Sequence, residues 1–284
     1  FLEKWITVVN ASDPIPAIVE SDATGDIKNI FDDIKNVTGV DVVNLVWRRL
    51  AITQNALPYL WDVLRPAYES GFISHQAVEF QNQLVIPKLP KFKDEILFAS
   101  GIDNLGKMTI NNILASYNRT NAANLIALQA ALINLNGGEN VALEPIQKKL
   151  AGDILLPMPR LPAISDLNPN IISLVKELNS FGEEDGTIIA SMYRHLAYWP
   201  NFLALIKIAL EPIASSGELK RAIENSREQS AKKAIYLSKF LEPFPESASS
   251  LCFKEIKNVL ELFTRHPLSK MVVICGMLIE ALEK

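Results

Sequence analysis

The stretch Thr187–Gly217, TIIASMYRHLAYWPNFLALIKIALEPIASSG, has the apolar spacing of two helices joined by a short turn. The stretch Asp41–Gly71, DVVNLVWRRLAITQNALPYLWDVLRPAYESG, has the same spacing and aligns with it without a gap. In this alignment Arg48 matches Arg194, so the two stretches are 194 − 48 = 146 residues apart. Nine of the 24 positions from 48 to 71 are identical, where ordinary composition would give about one or two. The helix pair therefore occurs twice.

The same offset returns further along the chain. Residues 110–133 align with 256–279, and the identical pairs there include Ile110 with Ile256 and Arg119 with Arg265. A chance match would not reproduce the offset, so we predict a tandem duplication with a period too long for a solenoid. Two copies of one helical unit are expected to pack as a pseudo-two-fold intramolecular dimer.

Proline content and repeat length set the predicted boundaries. Residues 1–24 are expected to form an extended arm and residues 25–142 the first repeat. Residues 143–170 hold five of the chain's 16 prolines and are predicted to be a linker, followed by the second repeat at 171–284.

The fold class follows from the periodicity. Apolar residues recur at helical spacing throughout both repeats, and no run alternates as a strand would. We therefore predict an all-α fold in which Gly39, Gly71 and Gly217 end helices and Pro200 begins one. Asn44 is expected on the apolar side of a helix, and Asn118 at a break between two helices.

Composition excludes several classes of function. A net charge of −4 without a dense basic run argues against nucleic acid. The longest apolar run, Met271–Ile279, has about half the length that a membrane helix needs, so no membrane partner is expected. The expected location is the cytoplasm, where Cys252 and Cys275 would be buried, reduced thiols.

Common catalytic motifs are absent from the sequence. It contains no CxxC, HExxH, phosphate-binding or dinucleotide-binding motif, and no nucleophile elbow. The histidines His75, His195 and His266 lack metal-ligand spacing, so we expect neither a metal nor a cofactor. Peroxide reduction by an all-α thiol enzyme is excluded because there is no vicinal cysteine pair.

What remains is a set of polar groups on apolar helices. Arg48 and Arg194 occupy equivalent positions in the two repeats. One interpretation is that they form salt bridges or extend to solvent at the repeat interface. The other is that one of them holds a small carboxylate with its guanidinium fork. Asn44 and Asn118 are candidate polar anchors, since a buried amide needs partners. The acidic residues 183–185 are expected to cap the helix that follows them.

The doubled helical plan, with LAYWPNFL in the second repeat and YNRTNAANLIAL at the end of the first, resembles the group I 2-haloacid dehalogenases. That resemblance covers about residues 25–282 and implies a 2-halocarboxylate bound between the repeats. It also implies attack on the substrate carbon by a water molecule that an Asp activates, without a covalent intermediate. The family motif Ala-Ser-Asp-Phe-x-x-Leu-Ala-x-Trp-Pro corresponds to 190–200, with Met192 at the Asp position and Tyr193 at the Phe position.

The resemblance also assigns the rest of the site. The family's Phe-Asn-x-x-Asn segment corresponds to 117–121, which makes Asn118 the water-orienting residue. Val42, Asn44 and Leu45 fall where the family has a bulky aromatic, a small residue and another aromatic, which implies a more polar pocket of different shape. The candidate catalytic residues are Asn118 and His195. The candidate substrate-binding residues are Val42, Asn44, Leu45, Arg48, Asn118, Asn121, Ala190, Ser191, Met192 and Arg194.

Met192 leaves three functions open, because a thioether cannot take the proton of an attacking water. The first is a dehalogenase-type enzyme with a relocated base, for which His195, Glu184 and Asp185 are candidates. The second is a non-catalytic protein that binds a small organic acid between the repeats. The third is a purely structural helical protein without a ligand, in which the interface between the repeats is apolar and closed. Such a protein could form a homodimer.

Overall fold

The computed structural model describes residues 15–137, 157–183, 188–245 and 249–282. These residues form α-helices with short 3-10 and π-helical segments and contain no strand, which confirms the all-α prediction. The helices are α1 (Gly25–Thr38), α2 (Leu45–Leu50), α3 (Ala56–Glu69), α4 (Phe72–Gln83), α5 (Asp94–Ala99), α6 (Asn104–Leu135), α7 (Pro169–Ser180), α8 (Ser191–Leu196), α9 (Pro200–Ser215), α10 (Glu218–Ser238), α11 (Ser250–Phe263) and α12 (Ser269–Leu282).

The residues that were predicted to begin and end helices do so in the structure. Gly39 ends α1 in the left-handed conformation with φ 69°, and Pro200 is the first residue of α9. Gly71 and Gly217 have φ 81° and 74° and turn the chain from α3 into α4 and from α9 into α10. These positions require a residue without a Cβ, because side chains rarely tolerate positive φ.

The helices of the two halves begin at a constant separation. Three pairs start 146 residues apart: α2 and α8 at Leu45 and Ser191, α4 and α10 at Phe72 and Glu218, and α6 and α11 at Asn104 and Ser250. This separation equals the offset of the sequence repeat, so it supports the predicted duplication.

The two halves exchange contacts through their longest helices. The helix α6, from the first half, packs against α8, α10 and α12 of the second half. The helix α11, from the second half, packs against α2 and α3 of the first half. Because α6 corresponds to α11 and α8 to α2, the α6–α8 and α11–α2 contacts are equivalent, as in an isologous interface. The apolar core therefore contains residues of both halves rather than one core for each.

The structure corrects two local predictions. Asn118 lies inside the uninterrupted helix α6 and not at a break. In the second half the corresponding region does change, into a π-helical segment at Thr264–Leu268, where Pro267 has no backbone N–H to donate. Asn44 precedes α2 as its N-cap residue instead of lying within a helix.

Of the acidic residues before the second helix pair, Glu183 makes contacts different from those predicted. Glu183 is buried, and its carboxylate lies 2.9 Å from Lys270 Nζ and 3.2 Å from Arg227 Nη2. Lys270 Nζ also donates a 2.6 Å hydrogen bond to the Asn179 carbonyl. Glu183 therefore compensates a buried ammonium rather than capping α8, while Glu184 and Asp185 lie outside the described residues.

The predictions for the N-terminal arm, the linker and the two cysteines can be compared with the described residues. Of the arm, residues 15–24 form a loop with a 3-10 turn at Glu20–Asp22, and residues 1–14 lie outside the described part. Of the linker, residues 143–156 also lie outside it. Cys252 and Cys275 are buried free thiols, as predicted.

One continuous helical stretch, Ser250–Leu282, is long and apolar enough to cross a membrane by length and composition. Within the structure 72% of its most apolar window is buried against the protein. That degree of burial is typical of a core helix.

Candidate ligand cavity

A cavity of about 40 Å³ lies where the two halves meet. This is several times the space that one water molecule requires, about 10–15 Å³. Five pairs of lining residues stand 146 positions apart: Asn44 with Ala190, Leu45 with Ser191, Val46 with Met192, Tyr117 with Phe263, and Asn121 with Pro267. The remaining lining residues, Ile188, Ile189, Leu268 and Met271, come from the second half. The cavity, named here the Met192 cavity, therefore has equivalent walls from the two halves.

Two asparagines fix the backbone around this cavity. Asn179 accepts from the Ala190 N–H at 3.0 Å and donates to the Ile188 carbonyl at 2.9 Å, which holds the segment before α8. In the first half, Asn44 Nδ2 donates to Thr120 Oγ1 at 3.2 Å and to Asn121 Oδ1 at 3.4 Å. No sequence signal pointed to Asn179, because its partners are backbone groups about ten residues away.

The cavity wall carries polar atoms that have no strong partner. Ser191 Oγ is buried and makes no hydrogen bond with any described residue. Asn121 Nδ2 is also buried and makes no hydrogen bond to an oxygen or nitrogen atom of a described residue, and the Asn121 side chain interacts with the Cys275 thiol, a weak acceptor. A buried polar group without a partner costs about 1–3 kcal/mol. Both atoms can therefore donate hydrogen bonds to a ligand with oxygen acceptors.

Met192, which the sequence resemblance aligns with the Asp of the dehalogenase motif, has no exposed surface. Its sulfur is 3.4 Å from Cys275 Sγ, and burial raises the pKa of that thiol, so the thiol stays protonated. Of the described residues that line the cavity, only Tyr117 has a titratable side chain. The wall itself therefore offers no carboxylate, imidazole or amine to a water molecule inside.

Tyr117 connects the cavity to His195. Its hydroxyl lies 2.7 Å from His195 Nδ1, and His195 Nε2 lies 3.0 Å from the Pro159 carbonyl. A carbonyl can only accept, so Nε2 carries the ring proton and Nδ1 accepts from the Tyr117 hydroxyl. The ring of His195 is fully buried.

The environment of His195 keeps the ring neutral, as expected from the neighbouring arginine. Burial lowers the pKa of His195 to about 4, and the positive charges of Arg194 and Arg48 act in the same direction. The Pro159 hydrogen bond opposes these effects only in part. At neutral pH the ring is a hydrogen-bond acceptor for Tyr117 and a weak base.

The structure brings six of the predicted binding residues to the Met192 cavity: Asn44, Leu45, Asn121, Ala190, Ser191 and Met192. Val42, Arg48 and Arg194 instead line a larger neighbouring chamber. Asn118 does not line the Met192 cavity, and its carbonyl accepts from Gln81 Nε2 at 3.0 Å. This geometry does not support Asn118 as the water-orienting residue. The amide that faces the cavity is Asn121, one helical turn beyond Tyr117.

The two arginines make main-chain contacts. Arg48 Nε donates to the Val43 carbonyl at 3.2 Å, and Arg194 donates to the Pro162 carbonyl from Nε at 3.0 Å and from Nη2 at 2.6 Å. Both side chains are buried, which rules out the predicted extension into solvent. In the described part of the chain, no group of three or more His, Cys, Asp or Glu side chains is placed to hold a metal ion.

Comparison with known proteins agrees with the motif. No protein-family model matches the chain. A configuration-inverting 2-haloacid dehalogenase of Alcaligenes xylosoxydans xylosoxydans is 25% identical over 211 residues, which is 70% of this chain and 69% of that protein. A mutant D-2-haloacid dehalogenase in complex with D-2-CPA superposes with a TM-score of 0.74 at 17% identity, over 94% of this chain and 95% of that one. A D-2-haloacid dehalogenase in complex with L-LA gives a TM-score of 0.70 at 16% identity, over 94% and 96%.

The all-α fold is that of the D-2-haloacid dehalogenases. The similarity extends to the amino-acid sequence, because a relative found by sequence is also a 2-haloacid dehalogenase. The chain is similar in sequence to a configuration-inverting 2-haloacid dehalogenase and similar in fold to D-2-haloacid dehalogenases. This relationship supports a dehalogenase-like function.

Proposed function

We propose that this protein binds a small 2-substituted carboxylate in the Met192 cavity, at the seam between two duplicated repeats. The observation that carries the proposal is the buried Ser191 hydroxyl, which faces a cavity at the family's substrate position and has no partner among the described residues. Relatives of the same fold have been crystallised with D-2-CPA and with L-LA. The constant offset of the lining residues supports the pseudo-two-fold placement of the ligand.

The chemistry of the wall suits such a ligand. Ser191 Oγ and Asn121 Nδ2 can each donate to a carboxylate oxygen, and hydrogen bonds to a charged group contribute about 1.5–3 kcal/mol each. The lining also includes the apolar residues Ile188, Leu268 and Met271, which would suit the substituent at the second carbon. The volume of about 40 Å³ restricts the ligand to very short acids.

With Met192 in the cavity wall, we do not expect binding of the acid to be followed by efficient hydrolysis. Attack by water needs a group that takes its proton, and removing such a base typically costs a factor of about 10²–10⁴ in rate. The thioether of Met192 has no basic lone pair, and the low pKa of His195 makes it a poor substitute. The first function that we infer is therefore binding of the acid without rapid turnover.

The Tyr117–His195 hydrogen bond favours slow hydrolysis as a second candidate. In this step the oxygen of a cavity water bonds to the second carbon while the carbon–halogen bond breaks and the halide leaves with the electron pair. The water proton passes to the Tyr117 oxygen as the Tyr117 proton moves to His195 Nδ1. The product is a 2-hydroxy acid, and the imidazolium formed on His195 then returns its proton to solvent.

Binding is tested by titrating the protein with 2-chloropropionate in a calorimeter. Ser191→Ala is expected to weaken binding about tenfold, because it removes a donor to a charged oxygen. Ser116→Ala is the matched control, since Ser116 Oγ is also buried without a described partner but does not line the Met192 cavity. Equal affinity of the wild type and Ser191→Ala, or no binding at all, would contradict the proposal.

Turnover is tested by measuring chloride release from racemic 2-chloropropionate. Release by the wild type that His195→Gln abolishes would establish the Tyr117–His195 step. Release by Met192→Asp alone would establish a binding protein that lacks only the base. Val46→Asp is the matched control, because Val46 lines the same cavity from the equivalent position of the first half.

A further inference from the structure

A buried lysine adjoins the wall of the Met192 cavity. Lys270 is fully buried, and in the sequence it lies between Leu268 and Met271, which both line the cavity. Lys270 itself does not line the cavity. A buried ammonium group is costly unless it is paired and hydrogen-bonded. The partners of Lys270 therefore indicate what the residue does at this position.

Lys270 is hydrogen-bonded to the last turn of α7. Its Nζ donates to the Asn179 carbonyl at 2.6 Å. The side chain of Asn179 accepts from the Ala190 N–H at 3.0 Å and donates to the Ile188 carbonyl at 2.9 Å. Both of these residues line the Met192 cavity. Lys270 and Asn179 therefore tie this segment of the cavity wall to the segment 267–271, which is far away in the chain.

Glu183 holds the Lys270 ammonium in place. Its carboxylate lies 2.9 Å from Lys270 Nζ and 3.2 Å from Arg227 Nη2. Arg227 Nε also donates to the hydroxyl of Ser269, the first residue of α12, at 3.1 Å. Burial lowers the pKa of Lys270, whereas the charge of Glu183 acts in the opposite direction. Because Lys270 and Glu183 are both almost completely buried, neither can exchange its partner for water.

The first half of the chain has no such ion pair. The positions 146 residues earlier hold Asn124 in place of Lys270 and Val37 in place of Glu183. Asn124 accepts a hydrogen bond from the Tyr68 hydroxyl at 2.7 Å. The helical unit of the first half therefore folds without the ion pair. This difference indicates that the pair serves the second-half wall of the cavity rather than the fold of the unit.

We infer that Lys270 and Asn179 are positioning residues that set the size of the Met192 cavity and therefore the length of the acid that it accepts. The inference rests on the proposed binding of a 2-substituted carboxylate in that cavity. Neither residue lines the cavity, so both act through the backbone of the wall segments that they connect. When the connection is removed, the two segments can move apart, and the cavity accepts a larger substituent.

The test is calorimetric titration of the full chain with 2-chloropropionate and with 2-chlorobutyrate, which is one methylene longer. The wild type is expected to bind the longer acid at least about tenfold more weakly, because one methylene has about this effect in an apolar pocket of fixed size. Lys270→Met keeps the length of the side chain, and Glu183 keeps Arg227 as a partner. This variant is expected to reduce the ratio of the two dissociation constants about three- to tenfold. A purely structural defect would instead weaken both acids equally.

Two control variants and a second substitution support this test. Lys233→Met is the control for Lys270→Met, because Lys233 pairs with Glu79 at 2.7 Å and neither residue lines the cavity. Asn179→Ala breaks the same connection from the other side, and it is used if Lys270→Met does not fold. Asn134→Ala is its control, since Asn134 is also buried and donates to two main-chain carbonyls outside the cavity wall. Both controls should leave the ratio unchanged.

Hydrogen exchange without a ligand separates this inference from the proposed function. The peptide 188–192 is expected to exchange about fivefold faster or more in Lys270→Met and in Asn179→Ala than in the wild type, because the Ala190 N–H no longer has a fixed acceptor. If the wild type binds neither acid, the proposed function fails, while faster exchange still establishes the connection and unchanged exchange overturns it. If the wild type binds, a ratio of dissociation constants that stays the same in both variants overturns the inference.

Discussion

The buried neutral ring of His195 makes the stability of this protein depend on pH in a way that can be calculated. The pKa of His195 is about 4 in the folded protein and 6.5 as the ordinary value that the unfolded chain would show. Below pH 6.5 the unfolded chain binds a proton that the folded protein rejects, so acid favours unfolding. The contribution is fully present above pH 7 and is lost as the pH falls from 6.5 towards 4.

The magnitude follows from the linkage between proton binding and folding. One pKa unit corresponds to about 1.36 kcal/mol, so the full difference amounts to about 3 kcal/mol. At pH 5 the ring is protonated in almost all unfolded molecules and in few folded ones, which gives a loss of about 2 kcal/mol relative to pH 8. Other groups titrate over the same range, and among them burial raises the pKa of Glu20.

A variant isolates the contribution of His195. His195→Gln keeps a donor for the Pro159 carbonyl and an acceptor for the Tyr117 hydroxyl, but it cannot titrate. Urea unfolding of the wild type and of His195→Gln, followed by circular dichroism between pH 8 and pH 5, should give free energies whose difference changes by about 2 kcal/mol in favour of the variant at pH 5. His75→Gln is the control, because the side chain of His75 is exposed. A difference that stays constant across this range would refute the reasoning.

Three other substitutions test the packing described above, each by urea unfolding at pH 7.5. Glu183→Gln leaves the buried Lys270 ammonium without its carboxylate and should cost about 3–5 kcal/mol; a loss no larger than that of Asp32→Asn, which affects an exposed ion pair, would contradict the buried-pair argument. Ser191→Ala removes a buried hydroxyl without a described partner and should stabilise the protein by about 1 kcal/mol while it weakens ligand binding, and a destabilised variant would mean that the hydroxyl is already satisfied. Gly217→Ala forces a Cβ onto a residue with φ 74° and should cost about 1–2 kcal/mol, whereas an unchanged midpoint would contradict the left-handed assignment.

The helical architecture could be predicted because its signals are local. Apolar spacing, the stop at Gly39 and the start at Pro200 act within one or two helical turns, and the structure places helix ends at those residues. The resemblance to the 2-haloacid dehalogenases was equally accessible, since it was read from the motif at 190–200, and a dehalogenase is among the proteins similar in sequence.

The candidate site was only partly accessible from the sequence. Asn44 and Ser191, which were predicted to bind the substrate, both line the Met192 cavity, although Asn44 precedes α2 instead of lying within a helix. The long helix α6 was harder, because neighbouring residues on a helix point about 100° apart. Tyr117 and Asn121 face the cavity while Asn118 does not, and a rotation of one residue would exchange these roles.

The sequence by itself determined that the chain is helical, that a pattern of identical residues occurs twice at a fixed offset, and that the chain resembles the 2-haloacid dehalogenases. Each of these depends on residue identity and short-range spacing. Only the tertiary structure decided that His195 is buried against Tyr117 and that Arg48 and Arg194 share a chamber apart from the Met192 cavity. The reason is physical: burial, charge proximity and cavity shape depend on how α6 and α11 pack across the two halves, and that packing joins residues far apart in the chain.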